Sequence, residues 1–230
     1  MSYLWSQTIK KNPELYKRIE EAESWILKEN YILKFFDKQE RNVKVLDIGC
    51  GNGLFLDRLK EMGFENLFGA DLGNYLKNKD YEHQAVDINV EKLKYPDKFF
   101  GIITAFQVLE HLENYFLILQ EAVRTLKDRS YFIISIPNQF NIFYRIKFMF
   151  TGNMTGFNLK NNHLLFLTKD VFQKTFLRYF DLVDTYYSRG PIPMFGRLNI
   201  IPGINIKTKK KFLPRHSLLA NRVCYVLRKK

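Results

Sequence analysis

The run Val45-Leu-Asp47-Ile-Gly49-Cys50-Gly51-Asn-Gly53 constrains this chain more than any other segment. A short apolar stretch carries an acid near its end and then three glycines at alternate positions. Apolar residues without polar alternation read as a strand buried on both faces, as in parallel sheets covered by helices. Glycines straight after such a strand let the backbone turn tightly and approach a ligand at the carboxyl end of the sheet. The spacing is not that of a nicotinamide dinucleotide loop, because Leu54 stands where the third glycine belongs. It is not a Walker loop either, since no Gly-Lys-Ser/Thr follows. Asp47, just before the loop, suits a ligand with a cationic amine or sulfonium better than a pyrophosphate.

The rest of the chain repeats the strand-then-helix rhythm. Asn12-Pro13 reads as a helix start, with apolar spacing running to about Phe36. Val43 to Ile48 is the first strand, Leu54 to Glu61 a helix stopped by Gly63, and Asn66 to Ala70 a second strand ending at Asp71. His83 to Val86 is a weak third strand ending at Asp87, and Phe99 to Ala105 a fourth. A helix over about Asn114 to Leu126 and a fifth strand, Tyr131 to Ile136, follow. Such alternation predicts βαβ units and a parallel sheet. Ile142 to Phe150 has helical spacing, with Arg145 and Lys147 off its apolar face. Thr168 caps another predicted helix, and Phe180 to Tyr187 and Arg222 to Leu227 read as the last strands. Between those strands, Gly190 to Asn221 is too long for a hairpin turn.

Charge divides the chain. Net charge is +12, yet the first 184 residues carry only +1. After Asp184 come 11 basic residues and no acid, including the run Lys207 to Lys211. That segment is either a solvated face or a surface for an anion. Two cysteines, Cys50 and Cys224, exclude a disulfide scaffold and fit a reducing compartment. No secretory signal and no apolar run of membrane-spanning length is present, so a cytoplasmic protein is expected, with peripheral contact at the inner face of an anionic membrane left open.

Asp47, Gly49, Gly51 and Gly53 match the first motif of the class I S-adenosylmethionine (SAM) dependent methyltransferases, and the chain resembles that family in order from there. The resemblance implies an α/β, Rossmann-like sheet of seven strands, mostly parallel with the last antiparallel, and helices on both faces. It implies a methyltransferase domain over 41–230, preceded by an N-terminal helical segment over 1–40, with a lid over 138–163 and a basic insertion over 190–221. It implies SAM as cofactor, held by the loop residues and Cys50, by Asp71 and Leu72 at the ribose, by Asp87 and Ile88 at the adenine, and by Phe106 and Gln107 after the fourth strand. Val108-Leu-Glu110-His111-Leu112 is similar to a segment of the subgroup that includes the ubiquinone-pathway and many bacterial O-methyltransferases. Asn162-His163 to Thr168 is similar to a later run of that subgroup. One departure is Phe99-Phe100-Gly101, where the subgroup often has Phe-Asp.

Methyl transfer is a direct displacement, and a hydroxyl acceptor needs a base. Of the four histidines, His111 and His163 are the candidates, while His83 and His216 have no matched role. Some relatives bind a divalent ion through Glu-x-x-Glu-His and a later histidine. Here Gln107 replaces the first acid, so no metal is expected. No Asn-Pro-Pro-Tyr type tetrapeptide follows the fourth strand, which leans the chemistry towards oxygen. The expected acceptor is a small molecule, a glycan or a lipid-linked compound, with an RNA methyltransferase or a non-catalytic SAM-binding protein as the alternatives.

Overall fold

The computed structural model describes residues 30–157, 163–188 and 217–230. The predicted helix start at Asn12, the central part of the insertion with Lys207 to Lys211, His216 and Asn162 lie outside the described residues.

A sheet of seven strands is the frame, in the order β3-β2-β1-β4-β5-β7-β6. The strands are β1 (Val45–Ile48), β2 (Leu67–Asp71), β3 (Glu82–Ala85), β4 (Phe100–Phe106), β5 (Leu126–Pro137), β6 (Phe180–Tyr187) and β7 (Arg222–Lys229). The pairings from β3 to β5 are parallel, and β7 runs antiparallel to both β5 and β6. This is the expected sheet. β1 and β4 lie side by side in register, Asp47 opposite Thr104, and the chain crosses over between them. Strand order reverses around β1, and the carboxyl ends of β1 and β4 border the crevice where such sheets bind ligands.

Side chains alternate across the pleat and divide the core in two. Val45, Ile102, Ile133 and Val226 point to one face. There they meet α1 (Asn30–Asp37) and α2 (Leu54–Glu61) through Ile32, Phe36, Phe55, Leu56 and Leu59. Leu46, Ile103, Phe132, Ile134 and Leu227 point to the other face. They pack on α3 (Tyr115–Thr125) and α5 (Lys169–Tyr179) through Ile118, Leu119, Phe172 and Phe176. Thr168 caps α5, its hydroxyl accepting from Val171 N–H at 3.2 Å. A cap of this kind is worth about 1 kcal/mol.

β5 differs from the sequence reading. It begins at Leu126, directly after α3, although Lys127 to Ser130 is polar. Only Leu126 pairs, with Phe100, before the register shifts to Tyr131 opposite Ile102. An apolar pattern cannot reveal a strand start that neighbouring-strand pairing alone defines. α4 (Ile142–Thr151) follows β5, capped by Asn141, whose side chain accepts from Phe143 N–H at 2.9 Å.

Candidate functional site

The glycine loop between β1 and α2 is held in left-handed backbone, with φ of +72° at Gly49 and +51° at Gly51. A Cβ on Gly49 would strike Val108 Cγ2, so no side chain fits there. Two acids frame the loop. Asp47 is buried and accepts the Thr104 hydroxyl at 2.6 Å. Burial pushes its carboxyl up to about 7, opposed by the Thr104 bond and reinforced by Asp71. Asp71 accepts Gly51 N–H at 2.9 Å on one oxygen and Leu72 N–H at 2.7 Å on the other. Burial raises it to about 6 against those two bonds.

The other residues expected at the cofactor divide into two kinds. Asp87 ends β3's connection and accepts Asn89 N–H at 3.1 Å, fixing the turn that begins there. Cys50, Ile88 and Phe106 turn their side chains into the core. Cys50 Sγ fills the space above Gly69, 2.8 Å from where a Cβ would stand. Phe106 meets Phe55 edge-on at 5.0 Å, and Ile88 packs against the α3 side. Any part these three take in holding a ligand falls to their main chain.

Gln107, at the end of β4, has φ of +56°, unusual for a residue with a side chain. Its N–H donates to Ser135 O at 3.0 Å, its amide donates to Ser135 Oγ at 3.3 Å, and its amide oxygen accepts Arg222 Nε–H at 3.1 Å. These ties from β5 and β7 hold the turn that leads into a 3₁₀ segment, Leu109–His111. Sequence reasoning missed Ser135, Arg222 and Thr104, because each comes from a distant strand with no local motif.

The structure brings His111 and His163 together, ring centroids 4.9 Å apart and tilted by 65°. The segment carrying His163 is pinned beside Glu110, whose carbonyl accepts Leu164 N–H at 2.6 Å. Burial lowers the His163 pKa, which keeps its imidazole neutral. Glu110 is fully buried and its carboxyl is pushed up to about 8 by burial, with Arg222 pulling the other way. Among the described residues, Glu110 Oε2 and His163 Nδ1 are buried without a hydrogen-bond partner. Glu110, His111 and His163 offer ligand atoms within 4.8 Å of one another, a carboxylate-and-imidazole set suited to a divalent transition metal. His83 lies in β3, away from this cluster, its pKa lowered by burial and by Lys79.

Residues 20–181 match the family described as a methyltransferase domain. The chain belongs to this family. It is 26% identical over 154 residues to an uncharacterized protein of Methanocaldococcus jannaschii, covering 62% of this chain and 66% of that one. It is 26% identical over 130 residues to the ubiquinone biosynthesis O-methyltransferase of Rickettsia typhi, covering 53% of this chain and 52% of that one. The chain thus spans about half to two thirds of the length of these curated relatives. A SAM-dependent methyltransferase of Archaeoglobus fulgidus superposes with a TM-score of 0.60 at 19% identity, covering 89% of this chain and 94% of that one. That likeness shows the shared fold.

SAM is the cofactor this family implies, and the residues present fit it. Gly49 packs directly against Val108, so the loop keeps its left-handed turn at the end of β1 only with no side chain there. Asp71 is fixed by two N–H groups and keeps further acceptor capacity for ligand hydroxyls.

Proposed function

We propose that the chain methylates a hydroxyl oxygen of a small-molecule, glycan or lipid-linked acceptor, with His111 or His163 accepting the proton. The observation that carries this reading is the pair of imidazoles in ring contact beyond the carboxyl end of β4. SAM, when bound, supplies a methyl group already activated by a positive sulfur. What remains for the chain is to orient the acceptor, exclude water and take one proton. A neutral His163 is in the form a base requires. Glu110, uncharged near neutral pH, adds no negative charge that would hold either imidazole protonated. The Rickettsia typhi relative, named as a ubiquinone biosynthesis O-methyltransferase, supports oxygen as the acceptor atom. The 11 positive charges after Asp184 support an acceptor that carries anionic groups.

A second reading is favoured by the unpaired Glu110 Oε2 and His163 Nδ1. With His111 they would hold a divalent ion that orients the acceptor oxygen. One experiment separates the readings. The full chain is incubated with SAM labelled in its methyl group and cell extract fractionated into lipid, metabolite and RNA pools. Label at a hydroxyl in the lipid or metabolite pool, undiminished by chelator, is the expected result. Activity lost to chelator and restored by a divalent ion supports the metal reading, and label confined to RNA overturns the proposed acceptor class.

A further inference from the structure

Helix α4 is built inside out. At about 3.6 residues per turn, Met149, Ile142, Ile146, Phe150 and Phe143 form one stripe about 120° wide, with Arg145 along one edge and Lys147 along the other. The helix is fastened to the body at its first turn. The Tyr144 hydroxyl donates to Asn221 Oδ1 at 3.4 Å, Ile142 N–H donates to Leu218 O at 2.7 Å, and the Asn141 amide reaches the carbonyls of Leu219 and Ala220 at 3.0 Å each. Ile142 and Phe143 at the start of the stripe are half-buried, and its far end faces outward, with Phe148 exposed beside it. None of the helix's ten residues is buried, and Ile146, Met149 and Phe150 are 45%, 71% and 78% exposed. An apolar helix face in the open marks an interaction surface.

We propose that this face of α4 docks on an anionic lipid bilayer, lying in the headgroup layer with Ile146, Met149 and Phe150 directed into the acyl boundary. The charge pattern selects this occupant. From Arg129 to Lys169 the sequence contains no acid, and the two edges of the stripe are basic. An apolar stripe bordered by cations is the pattern of helices that lie in a membrane interface. A ten-residue helix is too short to span, and no described helix is long and apolar enough to cross a membrane. Two alternative covers carry the wrong charge. Residues 189–216 hold seven basic residues and no acid, and a second copy docking face to face would set Arg145 and Lys147 against their own kind. Ring contacts run from Phe140, two residues before the helix, to the histidine pair: Phe140 to Phe166 at 5.7 Å, Phe166 to Phe157 at 5.8 Å, and Phe157 to His163 at 6.0 Å. The proposal does not depend on which acceptor is methylated, and its test uses neither acceptor nor turnover.

The full chain is sedimented with vesicles of phosphatidylcholine alone and of phosphatidylcholine mixed with phosphatidylglycerol. It should partition onto the mixed vesicles and detach as salt rises. Met149→Ser with Phe150→Ser should lower the partition coefficient by about tenfold or more, and Arg145→Gln with Lys147→Gln by about tenfold. Both variants should keep wild-type affinity for SAM, which shows that the fold is intact. Tryptophan fluorescence of Phe150→Trp should be quenched by brominated acyl chains beyond the quenching of the wild type. The proposal is overturned if the wild type ignores the mixed vesicles, or if the Met149 and Phe150 variant binds them as the wild type does. It is equally overturned if that variant converts a wild-type dimer to a monomer, or speeds proteolysis within residues 189–216.

Discussion

Two sides of the same sheet edge are finished to different degrees. At the ends of β1 and β2 both carboxylates have partners within the chain: Asp47 takes the Thr104 hydroxyl, and Asp71 takes the N–H groups of Gly51 and Leu72. The apolar residues there, Cys50 and Phe106, are buried in the core. Beyond β4 the balance reverses. Glu110 Oε2 and His163 Nδ1 are buried without partners, and Phe140, Leu164 and Phe166 are exposed. An unpaired buried polar atom costs about 1–3 kcal/mol, so a ligand group or water that reaches these two atoms recovers that cost. One side is a self-sufficient cradle that any acceptor can share. The other presents two buried polar atoms that no described residue bonds.

The sharpest way to break this division is to strip the unfinished side. His111→Ala with His163→Ala should lower turnover by about 10²–10⁴-fold while SAM affinity by calorimetry stays at the wild-type value. If both quantities fall together, the two sides are one site and the division is wrong. If turnover survives, histidine takes no proton.

The reverse cut falls on Asp71. Asp71→Ala removes acceptors from the ribose hydroxyls and releases Gly51 N–H and Leu72 N–H, which hold the loop. Hydrogen bonds to a charged group are worth about 1.5–3 kcal/mol, so SAM affinity should weaken by at least about tenfold for each bond lost. Asp71→Asn keeps one oxygen and should fall between the alanine variant and the wild type. Unchanged affinity in Asp71→Ala would remove Asp71 from the cofactor side.

What the sequence made legible follows the same line. The loop glycines, Asp47, Asp71 and all seven strands could be read because strand patterning and turn chemistry are local. His111 and His163 are legible as candidates, one after the fourth strand and the other at the end of the lid segment, and the structure brings their rings together. The partners that fix the site were not legible. Thr104 reaches Asp47 across two paired strands, and Arg222 reaches Gln107 from the final strand. Neither spacing nor composition encodes such contacts; only the strand order creates them. The side-chain directions of Cys50, Ile88 and Phe106 were also hidden. A motif places a residue beside a ligand without saying which way its side chain turns. The outward stripe of α4 shows the limit most clearly, since the sequence gives an apolar face but not the direction in which it points.

The smallest expected effect tests the finished side by proton linkage. Burial raises Asp71 to about 6 and Asp47 to about 7, so both are partly protonated in the free chain near neutral pH. A ligand bearing a cationic amine and a sulfonium favours the ionised forms, so binding must expel protons and affinity must rise with pH. For one group at about 6 that must ionise, SAM should bind about tenfold more weakly at pH 5 than at pH 8, levelling off above the higher of the two values. Calorimetry in buffers of different ionisation enthalpy counts the protons released. Asp47→Asn keeps an acceptor for Thr104 but removes one titrating group, so it should move the rise to lower pH. A profile that is flat from pH 5 to 8 would mean that neither carboxylate meets the ligand's charge. An affinity that falls with pH would mean that the ligand prefers their protonated forms and uses them as donors.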